Sequence, residues 1–253
     1  MILSYLRYLW QSTNAHGVHS PFVYEFVTRG LYVQKLPPDY FKINAIRKEL
    51  LKNNITLTIE DYGAGSKIFK NNQRTIAQIA KHVALSPKKA TILYKMINYF
   101  KPQNILELGT SIGLGTTTLA FANPKAKIVT VEGCQNIYQE AKKLFAQENL
   151  QQINSIHSTF DTFIKGNDQL FDCILFDGHH TFEATIRYFE YLLHAKHNHS
   201  LWIFDDIHWS EDMEKAWHVI KNHPEVSVTI DLFHYGLVFF RKEQQKEHFV
   251  IRV

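Results

Sequence analysis

Three carboxylates and three imidazoles fall in two short stretches of the chain, FDGHH at 176–180 and FDDIHW at 204–209. Each stretch follows an apolar, strand-like run. If those strands are parallel neighbours, Asp177, Asp205 and Asp206 converge at the carboxyl edge of the sheet, where open α/β folds bind their ligands. Carboxylates crowded together repel, and a divalent cation is the usual remedy. Hard oxygen donors select magnesium, calcium or manganese over zinc. His179, His180 and His208 share the same loops. A neutral imidazole titrating near ~6.5 can take the proton of a hydroxyl at neutral pH, the more readily if a metal acidifies that hydroxyl. The mixed Asp/His set also suits a transition metal, and the plain alternative is a helix cap at Asp177 or Thr181 flanked by surface histidines.

Two glycine-rich segments resemble strand-to-helix turns: IEDYGAGS at 59–66 and ILELGTSIGLGT at 105–116. A nucleoside site on such a sheet needs a carboxylate at the end of the next strand, about 20 residues on, to accept the ribose hydroxyls. After Gly65 no acid occurs until Glu107, whereas the strand-like run Lys127–Val131 ends on Glu132, 23 residues beyond Gly109. The second turn passes this test and the first fails, which leaves Asp61–Ser66 as a loop whose glycines supply positive φ. Gly109, Gly113 and Gly115 do not spell GxGxxG, so a dinucleotide is disfavoured. Backbone amides and the hydroxyls of Thr116, Thr117 and Thr118 suit an amino-acid carboxylate instead.

The elements that must carry these residues are legible as alternation. From residue 104 onward, short apolar runs alternate with amphipathic stretches, as a parallel sheet with crossover helices does. Strands are expected at 104–108, 127–132, 153–157, 171–176 and 200–204, with helices starting near Gly115, Gln135, Phe160, Thr181 and Ser210. Then 226–233 and 236–241 are separated only by His234 and Tyr235, which permits nothing but an antiparallel hairpin. Residues 1–74 read as a mostly helical appendage with a lid role open to it, and 75–253 as the main domain. Within the appendage, HGVHSPF at 16–22 is either a turn fixing entry to the first helices or a contributor to the site.

Composition narrows the class. With 253 residues, 45% apolar and 21% charged, the chain has the makeup of a globular α/β protein rather than a disordered, collagen-like or disulfide-stapled one. A net charge of +4 is too slight to signal nucleic acid. Eight basic residues and no acid occur between Tyr62 and Leu106, read as a solvated helix face ahead of a docking surface. Cys134 and Cys173 lack metal or redox spacing and suit a reducing cytoplasm. No run reaches the ~18 apolar residues of a membrane span, and the opening MILSYLRYLWQ lacks the basic start of a signal peptide.

Taken together, ILELGTSIGLGT at 105–116, IVTVEG at 128–133 and TIDLFHYGLVFFR at 229–241 resemble a class I S-adenosylmethionine-dependent methyltransferase over about residues 75–241. The nearest likeness is to small-molecule O-methyltransferases of the catechol, caffeoyl-CoA and macrolide-sugar types. The resemblance implies a Rossmann-like, doubly wound, seven-stranded sheet, mostly parallel and closed by an antiparallel hairpin. It implies that Glu107, Gly109, Ser111 and Gly113 surround the methionine part of S-adenosylmethionine, that Glu132 takes the ribose, that Thr159 and Phe160 meet the adenine, and that Asp177 borders the cofactor. Asp177, Asp205 and Asp206 would hold a divalent cation, magnesium first, where the family has Asp, Asp and Asn. His180 falls where the catechol-type enzymes place a catalytic lysine, with His179 and His208 beside it. A small-molecule acceptor follows, shaped by aromatics such as Trp209, Tyr235 and Phe22; a homodimer stays open. The competing readings are a cofactor-binding module without turnover and a nicotinamide enzyme on a related sheet.

Overall fold

The computed structural model describes residues 2–60 and 71–253, so the Asp61–Ser66 turn lies outside the described residues. In chain order the elements are α1 (Ile2–Gln11), α2 (Pro21–Phe26), α3 (Pro38–Leu50), β1 (Thr56–Thr58), β2 (Gln73–Thr75), α4 (Ile76–His82), α5 (Pro87–Phe100), β3 (Asn104–Leu108), α6 (Leu114–Ala122), β4 (Lys127–Glu132), α7 (Gln135–Gln147) and β5 (Ile153–His157). They continue with α8 (Phe160–Lys165), β6 (Cys173–Phe176), α9 (Phe182–Leu192), β7 (Leu201–Asp205), α10 (Glu211–Asn222), β8 (Val228–Asp231), β9 (Tyr235–Phe239) and β10 (Glu247–Val250).

The described residues form an eight-stranded sheet in the order β10-β8-β9-β7-β6-β3-β4-β5, with β1 and β2 as a separate antiparallel pair. Strands β7, β6, β3, β4 and β5 run parallel, while β9 is antiparallel to both β7 and β8. The expected hairpin is therefore present. The eighth strand, β10, was not expected: it pairs parallel with β8 at the edge, and a four-residue edge strand flanked by charges carries too little alternation to read. The topology reverses between β3 and β6, the usual crevice for a ligand.

Side chains alternate across the sheet with period two and build a core on each face. Ile105, Leu201, Ile203 and Leu237 face a cluster shared with Val23, Phe26, Ile43 and Leu93. Leu106, Trp202, Phe204 and Val238 face the other, with Phe189 and Trp217. Helices α2 and α3 thus bury their apolar faces in the same core as α5 and α6, whereas α1 leaves Leu3, Leu6 and Trp10 exposed; the expected 74/75 boundary runs through β2. Local signals start the helices: Thr75 and Gln78 form a reciprocal capping box on α4, Ser86 caps α5 ahead of Pro87, and Ser210 caps α10, whose first turn carries Glu211, Asp212 and Glu214. HGVHSPF becomes a 3-10 turn at Ala15–Gly17 and the entry to α2. Phe22 packs on Phe239 at the amino end of β7, remote from the carboxyl edge. No described helix is long and apolar enough to cross a membrane.

Phe189 is fully buried, its ring edge-on to Trp202 at 5.6 Å. Phe189→Ala is expected to cost about 3–5 kcal/mol in urea unfolding with an unchanged m-value; a loss under about 1 kcal/mol would show that this face is loosely packed.

Candidate active site

The turn after β3 is held in a conformation that its sequence permits. Gly109 has φ +113°, and a Cβ there would stand 2.0 Å from the carbonyl oxygen of Asp177, so only glycine lets the chain pass. Its N–H donates to Val131 O at 3.0 Å, tying the turn to β4. Glu132, at the end of β4, accepts from the N–H of Ser111 at 3.0 Å and of Cys134 at 2.9 Å. Burial raises its pKa, and those amides oppose the rise. Glu107 sits deeper. One of its oxygens, Oε2, accepts from the hydroxyls of Thr116 at 2.5 Å and Thr130 at 2.6 Å, while Oε1 has no hydrogen-bond partner. Complete burial pushes its pKa up to about 7 against the pull of the two hydroxyls.

On the other side of the crevice, the ends of β6 and β7 bring Asp177 and Asp205 together as neighbouring strands should. Burial raises both carboxyls above the usual range; at Asp205 the like charge of Asp206 adds to it, and at both the charge of Lys89 opposes it. Lys89, near the start of α5, reaches across so that its Nζ lies 2.5 Å from Asp205 Oδ2 and 3.0 Å from Asp206 Oδ1. His179 and His180 both have positive φ, 66° and 38°, an unfavourable backbone that points to a functional turn. His180 Nε2 is 3.8 Å from Asp177 Oδ1, and the His180 ring lies 6.0 Å from that of Trp209.

His208 does not join this cluster. Its ring is held by Asp231 at 2.7 Å and Glu214 at 3.2 Å and stacks on Phe233. It lines a separate cavity beside α1. The left-handed backbone of Asp206, φ 53°, directs the acid and the histidine two residues on to different sides. Burial lowers the His208 pKa, but the two carboxylates outweigh it and leave it raised.

Between the glycine turn and the acidic cluster lies a cavity of about 350 Å³, within the roughly 300–1,000 Å³ usual for small-molecule sites. Gly109, Ser111, Glu132, Thr159, Phe160 and Asp177 all line it, as do His179, His180, Asp205 and Asp206. Glu107 and Gly113 do not; they stand behind the turn and brace it. Thr159 also caps α8, and Phe160 packs 5.4 Å from the His179 ring.

Residues 106–207, from within β3 to just beyond β7, match the family model of a methyltransferase domain. Over that stretch the chain is similar to a methyltransferase domain. Its fold is that of solved methyltransferases: the S-adenosylhomocysteine-bound PaMTH1 of Podospora anserina (TM-score 0.61, 13% identity, covering 89% of this chain and 98% of that one), an O-methyltransferase of Bacillus cereus in complex with S-adenosylhomocysteine (0.56, 16%, 84% and 95%) and a putative caffeoyl-CoA O-methyltransferase of Staphylococcus aureus (0.57, 18%, 65% and 88%). No curated protein matches the chain in sequence.

One end of the cavity fits a nucleoside cofactor. Glu132 is a fixed carboxylate beside the turn, held by the amides of Ser111 and Cys134, and both Glu132 and Gly109 line the cavity. The metal fit is poorer. Donor atoms of Asp177, His180 and Asp205 lie within 4.8 Å of one another, but Asp206 stands outside that group and Lys89 bonds both Asp205 and Asp206. The three-aspartate set expected from sequence is thus assembled around an ammonium. Sequence reasoning placed Lys89 in a solvated basic face, and it passed over Arg74, buried at the cavity wall. A lysine three residues past a Ser-Pro helix start, without an acid to offset it, was the signal available for Lys89. Tyr235 lies beneath Lys89 and is buried, so of the expected acceptor aromatics only Trp209 lines the cavity.

Because Glu107 is protonated more readily folded than unfolded, its ionisation costs stability that grows as pH rises from about 4.5 to about 7 and is constant above. Glu107→Gln is expected to match the wild type near pH 4.5 and exceed it by up to about 3 kcal/mol at pH 8. Denaturant melts across pH check this; a variant less stable at pH 8 would mean the carboxylate is needed ionised.

Proposed function

We propose that this methyltransferase domain transfers a methyl group from S-adenosylmethionine to an oxygen of a small-molecule acceptor. The supporting observation is the joint presence, on one cavity wall, of a turn-anchored Glu132 and, opposite it, the His180–Asp177 pair. Ser111 and the Gly109 turn border the methionine end, Glu132 accepts from ribose hydroxyls, and Thr159 with Phe160 flank the base. Bound there, S-adenosylmethionine supplies an electrophilic methyl group on a positively charged sulfur.

The chain's own residues then have two tasks, to hold the acceptor oxygen in line and to remove its proton. His180 is the acceptor for that proton: it lines the cavity, and Asp177 stands where it stabilises the imidazolium that forms. His179, against Phe160 and Tyr188, shapes the turn that aims it. Trp209 walls the acceptor side. The buried, unpaired cysteines accord with a cytoplasmic protein.

A second reading adds a divalent cation held by Asp177, His180 and Asp205, favoured by the proximity of their donor atoms. In it His180 is a ligand and no longer available as the base.

Titration calorimetry with S-adenosylhomocysteine tests the cofactor assignment. Micromolar binding is expected, weakened about ten- to a hundredfold in Glu132→Ala; absence of heat from folded protein would refute it. With a working acceptor in hand from screening phenols, catechols, sugars and acids, His180→Ala is expected to lower kcat by about 10²–10⁴ while leaving S-adenosylhomocysteine binding intact.

A further inference from the structure

Lys89 stands where its local sequence gives it no support. It is the third residue of α5, where the helix dipole opposes a cation, and the first turn of that helix holds no acid to offset it. Its stabilisation comes from across the fold, 116 residues away, through Asp205 at 2.5 Å and Asp206 at 3.0 Å. The Lys89 side chain is 13% exposed and that of Asp205 3%, so this pair is shielded from solvent, where it counts for more than a surface ion pair. The ring of Tyr235 lies 5.7 Å from Nζ and adds its electron-rich face.

Both partners are held independently of each other. Ser86 accepts from the backbone N–H of Lys89, and the Tyr235 hydroxyl donates to the Lys89 carbonyl at 3.4 Å. Asp206 is fixed by its N–H to His234 O at 2.8 Å. The ammonium is therefore seated in a prepared place rather than trailing into an open cavity.

A metal taking Asp177, His180 and Asp205 as donors would share the Asp205 carboxylate with that ammonium. Two cations on one buried carboxylate repel each other in surroundings that screen them poorly. We propose that Lys89 is the resident cation of the acidic pocket: its ammonium occupies the place between Asp205 and Asp206 that converging carboxylates would otherwise give a divalent metal, and the methyltransferase domain works without one. This rests on the methyltransferase reading of the cavity only for its last clause. Lys89 acts as a positioning residue, fixing the acids that surround His180.

The test is a titration of chelator-stripped full-length protein with Mn²⁺, followed by calorimetry and by the Mn²⁺ electron paramagnetic resonance signal. The wild type is expected to leave Mn²⁺ free at millimolar concentration, as is Lys89→Arg, whereas Lys89→Gln gains a site at least about tenfold tighter that Asp205→Asn removes. Wild-type protein that binds Mn²⁺ through Asp205, or a folded Lys89→Gln that gains no site, overturns the proposal. Should Lys89→Gln not fold, the wild type decides: free Mn²⁺ supports the resident ammonium, and binding abolished by Asp205→Asn refutes it. A parallel S-adenosylhomocysteine titration reports the cofactor reading separately, since its failure leaves the Mn²⁺ result standing.

Discussion

One ammonium group facing three carboxylates governs the carboxyl edge of this sheet. Asp177 and Asp205 are brought together by the pairing of β6 with β7, which hydrophobic burial of both strands makes obligatory. Their charges would oppose that pairing without a counter-charge, and Lys89 supplies it from a helix that packs on the same face of the sheet as the N-terminal segment. The position of α5, and with it of α2 and α3, is thus coupled to the electrostatics of the cavity. The turn at His179–His180 then carries its strained backbone against a wall that is already fixed.

Legibility in the sequence followed burial. Strands β3 and β4 begin and end where apolar runs predict because most of their residues are buried, while β5, at the sheet edge and without a buried residue, was legible from its position in the alternation. The link from Gly109 to Glu132 was legible because it is local: one strand, one turn, one helix and one strand. Lys89 was not legible, since nothing in a run of eight basic residues distinguishes the one that crosses to Asp205 from those that face water. His208 misled for the opposite reason. Its position two residues after Asp206 suggests a shared site, and a single left-handed residue sends it instead to Asp231 and Glu214. Glu107 was expected around the methionine part of the cofactor, yet it is buried within β3 behind the cavity wall, where it accepts from Thr116 and Thr130.

The N-terminal segment is woven into the domain rather than appended to it. Its helices α2 and α3 pack into one face of the core, while Phe22 closes the amino end of the sheet under the side chain of Arg241, whose guanidinium lies 4.3 Å from the ring.

The clasp between α1 and the segment around β10 imposes an order on folding. Tyr8 donates to the carbonyl of Ile251, 243 residues away, and Thr13 pairs with Ile251 beyond β10, with Arg252 bonding the carbonyl of Leu9. Helix α1 therefore lacks these contacts until residues 247–252 have been made. At about 5–20 residues per second that is a delay of roughly tens of seconds, during which Tyr8, buried once the chain is folded, stays open to whatever chaperones the nascent chain meets. Helix α1 is made early and seated late.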